Sequence, residues 1–242
     1  MGFSQKKSLG FLAILCLSLI AFGCAPKAYR AHPELEMRSK DINTPGLISP
    51  DVKIYELTAG GVRELRDDWC IKGEKNVMGA ITECCREKEA EIKTLTIDEE
   101  IEEEMKDIQA LYRAVSSSIQ LHTYGPHVFP EKKENFEYSI GSVERILRKF
   151  RSDALIFVYG FDEESTTGRK ALHAAGIIAG AFTGVVVTPR YAITSVSVAL
   201  VEESGTILWY CVNTKPGYDL RKPESASKLV KHILSDFPRL GK

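Results

Sequence analysis

From residue 51 onward the apolar positions of this chain fall into two rhythms, one of period two and one of period three to four. Val52-Lys53-Ile54-Tyr55-Glu56-Leu57 alternates and predicts a short strand closed by Gly60-Gly61. Val77, Met78, Ile81, Cys84 and Cys85 recur at helical spacing, which puts both thiols near the buried side of a helix. Ile97, Ile101, Met105, Ile108, Tyr112, Val115 and Ile119 mark the most regular amphipathic helix, and Thr96-x-x-Glu99 predicts a capping box at its start. Its early acids, Asp98 to Glu100, Glu102 to Glu104 and Asp107, complement the positive end of the helix dipole. Spread around a helix, they read as a solvated face rather than a cation loop.

After a Gly- and Pro-marked loop from His122 to about Tyr138, Val143, Ile146, Leu147 and Phe150 form one face of a short helix. Ala154 to Tyr159 is an unbroken apolar run of strand length, the signature of a strand covered on both faces. Ser195–Val201 and Thr206–Val212 flank the turn Glu202-Glu203-Ser204-Gly205 and predict a hairpin. Strict alternation puts Trp209 with Ile207 and Cys211, opposite Leu208, Tyr210 and Val212, so both faces are apolar and at least one must be covered by helices, the helix at 226–237 being the natural candidate. Ala226, Leu229, Val230, Ile233, Leu234 and Phe237 predict a last helix stopped by Pro238. The sum is an α/β fold: a mixed sheet with a C-terminal β-hairpin, packed by amphipathic helices.

The first fifty residues follow a different logic. Lys6-Lys7, an apolar stretch from Leu9 to Phe22 and Gly23-Cys24 have the charged, apolar and small-residue layout of an export signal. Ala21-Phe22-Gly23-Cys24 resembles a bacterial lipobox, which implies a diacylglyceryl thioether on Cys24 and cleavage before it. An uncleaved membrane anchor and an ordinary signal cut nearby are the alternatives. Ala25 follows the cysteine instead of the Asp that retains many such proteins at the inner membrane, so the resemblance implies the periplasmic face of the outer membrane. Residues 1–23 are then a signal peptide, 24–50 a flexible tether broken by Pro26, Pro33, Pro45 and Gly46, and 51–238 a periplasmic domain. A tether of that length reaches about 25–30 Å.

Cleavage removes two lysines and no acid, so the charge changes from −1 (32 − 33) to −3 (30 − 33). Nucleic acid, which demands clustered Lys and Arg, is not the partner such a balance suggests. Cys70, Cys84, Cys85 and Cys211 would sit in an oxidising compartment, where a structural disulfide and buried free thiols are both open. Adjacent cysteines on one helix are poorly placed to bond each other, and no paired spacing suggests zinc.

Candidate chemistry is sparse. Asp162, Glu163 and Glu164 are expected in a loop after the buried strand, with His173 near, and His122 and His127 lack further metal ligands. No nucleophile elbow, phosphate loop or zinc signature accompanies them, so neither catalysis nor a cofactor is expected. Residues 171–187 are apolar except His173 and Thr183 and carry Gly176, Gly180 and Gly184 at four-residue spacing. Three glycines on one helical face invite close approach of another backbone. Burial against the chain's own domain, docking of a partner or second copy through that face, and membrane insertion are the three possibilities.

Ser152-Asp153-Ala154-Leu155-Ile156-Phe157-Val158, the Gly/Ala-rich insert, then Val198-Ala199-Leu200-Val201 and Ser204-Gly205-Thr206-Ile207-Leu208-Trp209 resemble a group of envelope proteins. The group comprises small lipoproteins related to the curli-secretion lipoprotein, the lipoprotein activators of penicillin-binding proteins, and the N-terminal domain of the Tol-system β-propeller protein. The resemblance implies a non-catalytic role, binding another envelope component in assembly, secretion or cell-wall work. The alternative is a homo-oligomeric subunit of an outer-membrane secretion or channel complex.

Overall fold

The computed structural model describes residues 28–125 and 127–241. Cys24 and the expected signal peptide lie outside the described residues.

The sheet is organised by one strand. β6 (Ala154–Ser165) pairs antiparallel with β7 (Thr194–Glu202) along one edge. Its other edge is shared, parallel, by β2 (Gly46–Leu47) near its start and β3 (Asp51–Leu57) over its second half. β8 (Ile207–Lys215) continues antiparallel from β7, and β1 (Tyr29–Ala31) closes that side. β4 (Arg63–Leu65) follows β3, and β5 (Lys93–Thr94) follows β2, giving an eight-stranded mixed sheet. The predicted α/β architecture with its C-terminal hairpin is therefore the observed one.

Helices cover both faces. On one, α2 (Asp67–Glu87) and α7 (Pro223–Ile233) lay Val77, Ile81, Leu229 and Ile233 over Ile54, Val196, Val198 and Trp209. On the other, α3 (Glu102–Ile119) and α5 (Glu144–Phe150) bring Tyr112, Ile119, Ile146 and Leu147 over Leu155, Phe157, Ala199 and Tyr210. The small helices α1 (Leu35–Arg38) and α4 (Pro130–Glu134) lie in connections, and α6 (Thr167–Thr183) projects from the sheet.

Four expectations are corrected. The tether expected over 24–50 is folded from Tyr29 onward: β1 adds to β8, and Ile42, Leu47 and Ile48 are buried. Asp153 fastens this segment by accepting the N–H groups of Asn43 (2.7 Å) and Thr44 (2.9 Å). Two- and three-residue strands borrow an existing sheet edge, so they need no periodicity of their own. The capping box does not form, because α3 starts at Glu102 and Thr96 to Glu99 lie in the preceding loop. Asp98 and Glu100 are instead drawn to Lys149 of α5, each at 2.7 Å. The apolar run of 154–159 continues as strand to Ser165, because β3 supplies a partner as far as Leu57.

The fourth correction is a β-bulge. Leu200 opposes Trp209 but Val201 opposes Ile207, leaving Leu208 as the extra residue. Ile207 therefore packs with Tyr210 on the α3 face, while Leu208, Trp209 and Cys211 pack on the α7 face.

Cys70, Cys84, Cys85 and Cys211 are all buried free thiols. Burial pushes Cys85 and Cys211 up to about 12, which makes them poor nucleophiles. Trp209 is fully buried, edge-on to Phe237 at 5.1 Å and stacked with Tyr29 at 6.2 Å. Trp209→Ala is predicted to cost about 3–5 kcal/mol of unfolding free energy. Chemical denaturation checks this, and a loss below about 1 kcal/mol would contradict its place in the core.

Candidate interaction surface

The acidic run that the sequence places in a loop is the last part of β6, and its three carboxylates have separate partners. Asp162 is fully buried: Thr194 Oγ1 donates to Oδ1 at 2.6 Å and the Leu220 N–H to Oδ2 at 2.8 Å. Burial pushes its pKa up to about 7, against the pull of those two hydrogen bonds. Glu163 receives Arg190 through both carboxylate oxygens at 2.6 and 2.8 Å, Arg63 Nε at 3.0 Å and the Ile193 N–H at 3.3 Å. Burial alone would raise its pKa, but Arg190, the Ile193 N–H and Arg63 outweigh it and hold the carboxyl below its usual range. Glu164 pairs with Arg221 at 3.3 Å and Lys170 at 3.5 Å.

These contacts join the end of β6 to β7, to the segment before α7 and to the base of α6. Asp162 offers no open oxygen to a substrate. His173 stands on the projecting helix with its ring against Tyr191 at 4.2 Å. His122 is held within its own loop, stacked on Phe129 at 4.4 Å with Nδ1 3.1 Å from the His127 carbonyl. Among the described residues, no group of three or more His, Cys, Asp or Glu side chains is placed to hold a metal ion.

Beyond this polar end the chain makes a hairpin of one helix and an irregular return limb. Thr166 caps α6 by accepting the Arg169 N–H at 3.3 Å. Arg169 is buried and fixes the base, donating to the Thr58 carbonyl at 3.1 Å and the Arg190 carbonyl at 2.9 Å. At the far end Gly184 takes the left-handed conformation (φ +74°) and closes the helix with an N–H bond to Gly180 O at 2.8 Å. Val185 to Thr188 then return along the helix. A Cβ at Gly176 would collide with the Val187 carbonyl and the Thr188 methyl, and one at Gly180 with Val186.

Of the three possibilities for the face of Gly176, Gly180 and Gly184, packing against the chain itself is the one observed at the first two glycines. Gly176 and Gly180 are occupied by the chain's own return, and Gly184 serves the reversal. What the hairpin leaves exposed lies on both of its limbs. Phe182 is 87% exposed and Val187 76%, with Leu172, Ile177, Ile178 and Val185 also outward. No Asp, Glu, Lys or Arg lies between Lys170 and Arg190. At the base, Arg169, His173, Ile177, Tyr191, Ala192 and Pro216 line a groove of about 620 Å³. The exposed apolar side chains thus cluster on one projecting element. Its sequence signal is the β-branched triplet Val185-Val186-Val187 directly after a helix-ending glycine, which lets the return limb seat on the glycines.

Neither a protein-family profile nor a curated protein matches the chain. Among solved structures, the PelC dodecamer from Paraburkholderia phytofirmans is 12% identical over 86% of this chain and 92% of that one, with a TM-score of 0.35. Similarity at that level carries no functional argument.

Two outcomes test this geometry. Asp162 has a folded-state pKa above the unfolded value of about 3.9, so the native state binds the extra proton, and its stability contribution is lost as pH rises toward 7. Between about pH 5 and 8 the loss is on the order of 2–3 kcal/mol. Denaturant titrations at both pH values should find this slope in the parent and not in Asp162→Asn. In the hairpin, Gly180→Leu should cost about 1–3 kcal/mol through overpacking against Val186. Ala181→Leu, at an exposed position, should be tolerated, and limited proteolysis of residues 184–193 separates the two variants.

Proposed function

We propose that this protein is a non-catalytic lipoprotein of the outer membrane, held at its periplasmic face by a diacylglyceryl group on Cys24. Its α/β domain docks on another envelope component through the hairpin of α6 and its return limb. One observation carries the docking reading: the hairpin keeps Ile177, Ile178, Phe182 and Val187 exposed although the glycine face beside them is already packed. A purely structural insert would turn those side chains toward the sheet, where burying each is worth about 1.5–3 kcal/mol. The anchor reading rests on Lys6-Lys7, the apolar run and Gly23-Cys24.

The non-catalytic reading is supported by the carboxylates at the end of β6, each committed to an internal partner. The resemblance of Ser152–Val158 and Val198–Trp209 to envelope lipoproteins favours the same role. A homo-oligomeric subunit of a secretion complex is the alternative use of the same apolar surface.

The expected outcome is that Cys24→Ser accumulates as an uncut precursor without labelled palmitate. A variant processed and labelled like the parent removes the anchor. Light scattering of the detergent-solubilised full chain distinguishes the two uses: a single-chain mass supports docking on a different component. A multimer that Ile178→Ser/Phe182→Ser dissociates supports the oligomeric subunit.

A further inference from the structure

The described chain begins at the same end of the sheet from which the apolar hairpin projects. β1 runs antiparallel to β8, with Tyr29 opposite Cys211 and Ala31 opposite Trp209. The chain before Tyr29 therefore leaves toward Val212–Lys215, the far end of β8. Ala28 lines a surface groove with Val212, Asn213, Thr214 and Lys215. Lys215 is opposite Thr194, and Thr194 is opposite Asp162, so this is the end where β6 finishes and β7 begins. The hairpin of residues 167–193 connects those two strands. The β7–β8 turn, with Glu203 and Ser204, occupies the other end.

The distance from the anchor follows from the same strand. β1 starts at Tyr29, so only residues 25–28 separate Cys24 from the sheet. Fully extended, they span roughly 13–15 Å. A domain held that closely keeps its hairpin end within reach of the lipid, and the surface presented there is uncharged between Lys170 and Arg190. These two cations stand at the base of the hairpin, paired to Glu164 and Glu163.

We propose that the hairpin is a second membrane contact: Ile177, Ile178, Phe182, Val185 and Val187 enter the acyl boundary of the bilayer that carries the Cys24 anchor. This rests on the lipoprotein reading above and names the component on which the hairpin docks as the lipid surface itself. The contact is shallow. No helix among the described residues is long and apolar enough to cross a membrane, and the return limb is not regular secondary structure. Irregular backbone is excluded from the hydrocarbon interior because its polar groups need partners. An apolar face about 5–10 Å deep at the headgroup boundary meets both conditions. A second attachment at the same end also fixes the orientation of the domain, which a single acyl anchor does not.

The test uses the full acylated chain on phosphatidylethanolamine/phosphatidylglycerol vesicles, with a protease site inserted after Lys27. Before cutting, both the parent and Ile178→Ser/Phe182→Ser should float with the vesicles. After cutting, the parent domain should remain bound, and the double variant should partition about a hundredfold less, given two large apolar side chains lost. Release of the parent domain on cutting overturns the hairpin contact and leaves the anchor reading standing. Loss of the uncut double variant from the vesicles removes the anchor reading and leaves the hairpin as the attachment. A cut parent domain released as a multimer that the double variant does not form assigns the surface to a second copy and overturns the proposal. A fluorophore at position 182 adds an independent readout: quenching by nitroxide lipids there, and not at position 204, is expected.

Discussion

β6 is buried on both faces from Ala154 through Val158, and this double burial constrains the rest of the molecule. Leu155 and Phe157 belong to the α3 side of the core, and Ala154, Ile156 and Val158 to the α7 side. A strand apolar on both sides must have helices above and below it, and its peptide groups must find ladder partners on both edges, because unpaired buried backbone is costly. β7 satisfies one edge along its length. No single strand satisfies the other, and β2 and β3 divide it. The segment 28–50 is therefore recruited into the fold instead of hanging free, with Asp153 at the head of β6 fastening it through Asn43 and Thr44.

The far end of the same strand explains where the polar groups and the exposed apolar surface lie. As β6 leaves the cover of α2 and α3, its side chains change from apolar to Asp162, Glu163 and Glu164, and each carboxylate takes up a distinct neighbour. Glu163 holds Arg190 and Arg63, and Asp162 holds Thr194 and the Leu220 N–H. These bonds fix the two points where the hairpin enters and leaves the sheet. Arg169 adds a third brace through carbonyls on both sides. A rigid base supports a projecting element that touches little else, an arrangement suited to presenting a surface.

The hairpin itself shows how one set of residues serves two ends. Glycines at 176 and 180 allow the return limb to lie directly on the helix backbone, so beyond its base the two limbs of the hairpin support each other. The isoleucines and Phe182 on the other side are then free of any internal duty. Neither half of this division is visible without the path of residues 185–193.

Local pattern sufficed for what depends on neighbours in sequence. The period-two and helical rhythms located β3, α2, α5, the β7–β8 hairpin and α7, because an element that buries one face must repeat at its own geometric period. Glycine spacing likewise identified a close backbone approach at Gly176 and Gly180. Partner identity was decided only by the tertiary structure. Short strands such as β1 and β2 have too few residues to show a period, and their stability comes from the edge they join. The bulge at Leu208, which sends Ile207 and Trp209 to opposite faces, depends on the register with β7 and is invisible in an alternating run. Thr96-x-x-Glu99 is a valid cap by spacing, yet Lys149, distant in sequence, competes for Asp98 and Glu100 on either side of Glu99. Which face of α6 is covered was likewise beyond the sequence, since a helical period states what each face contains and the fold alone determines what lies against it.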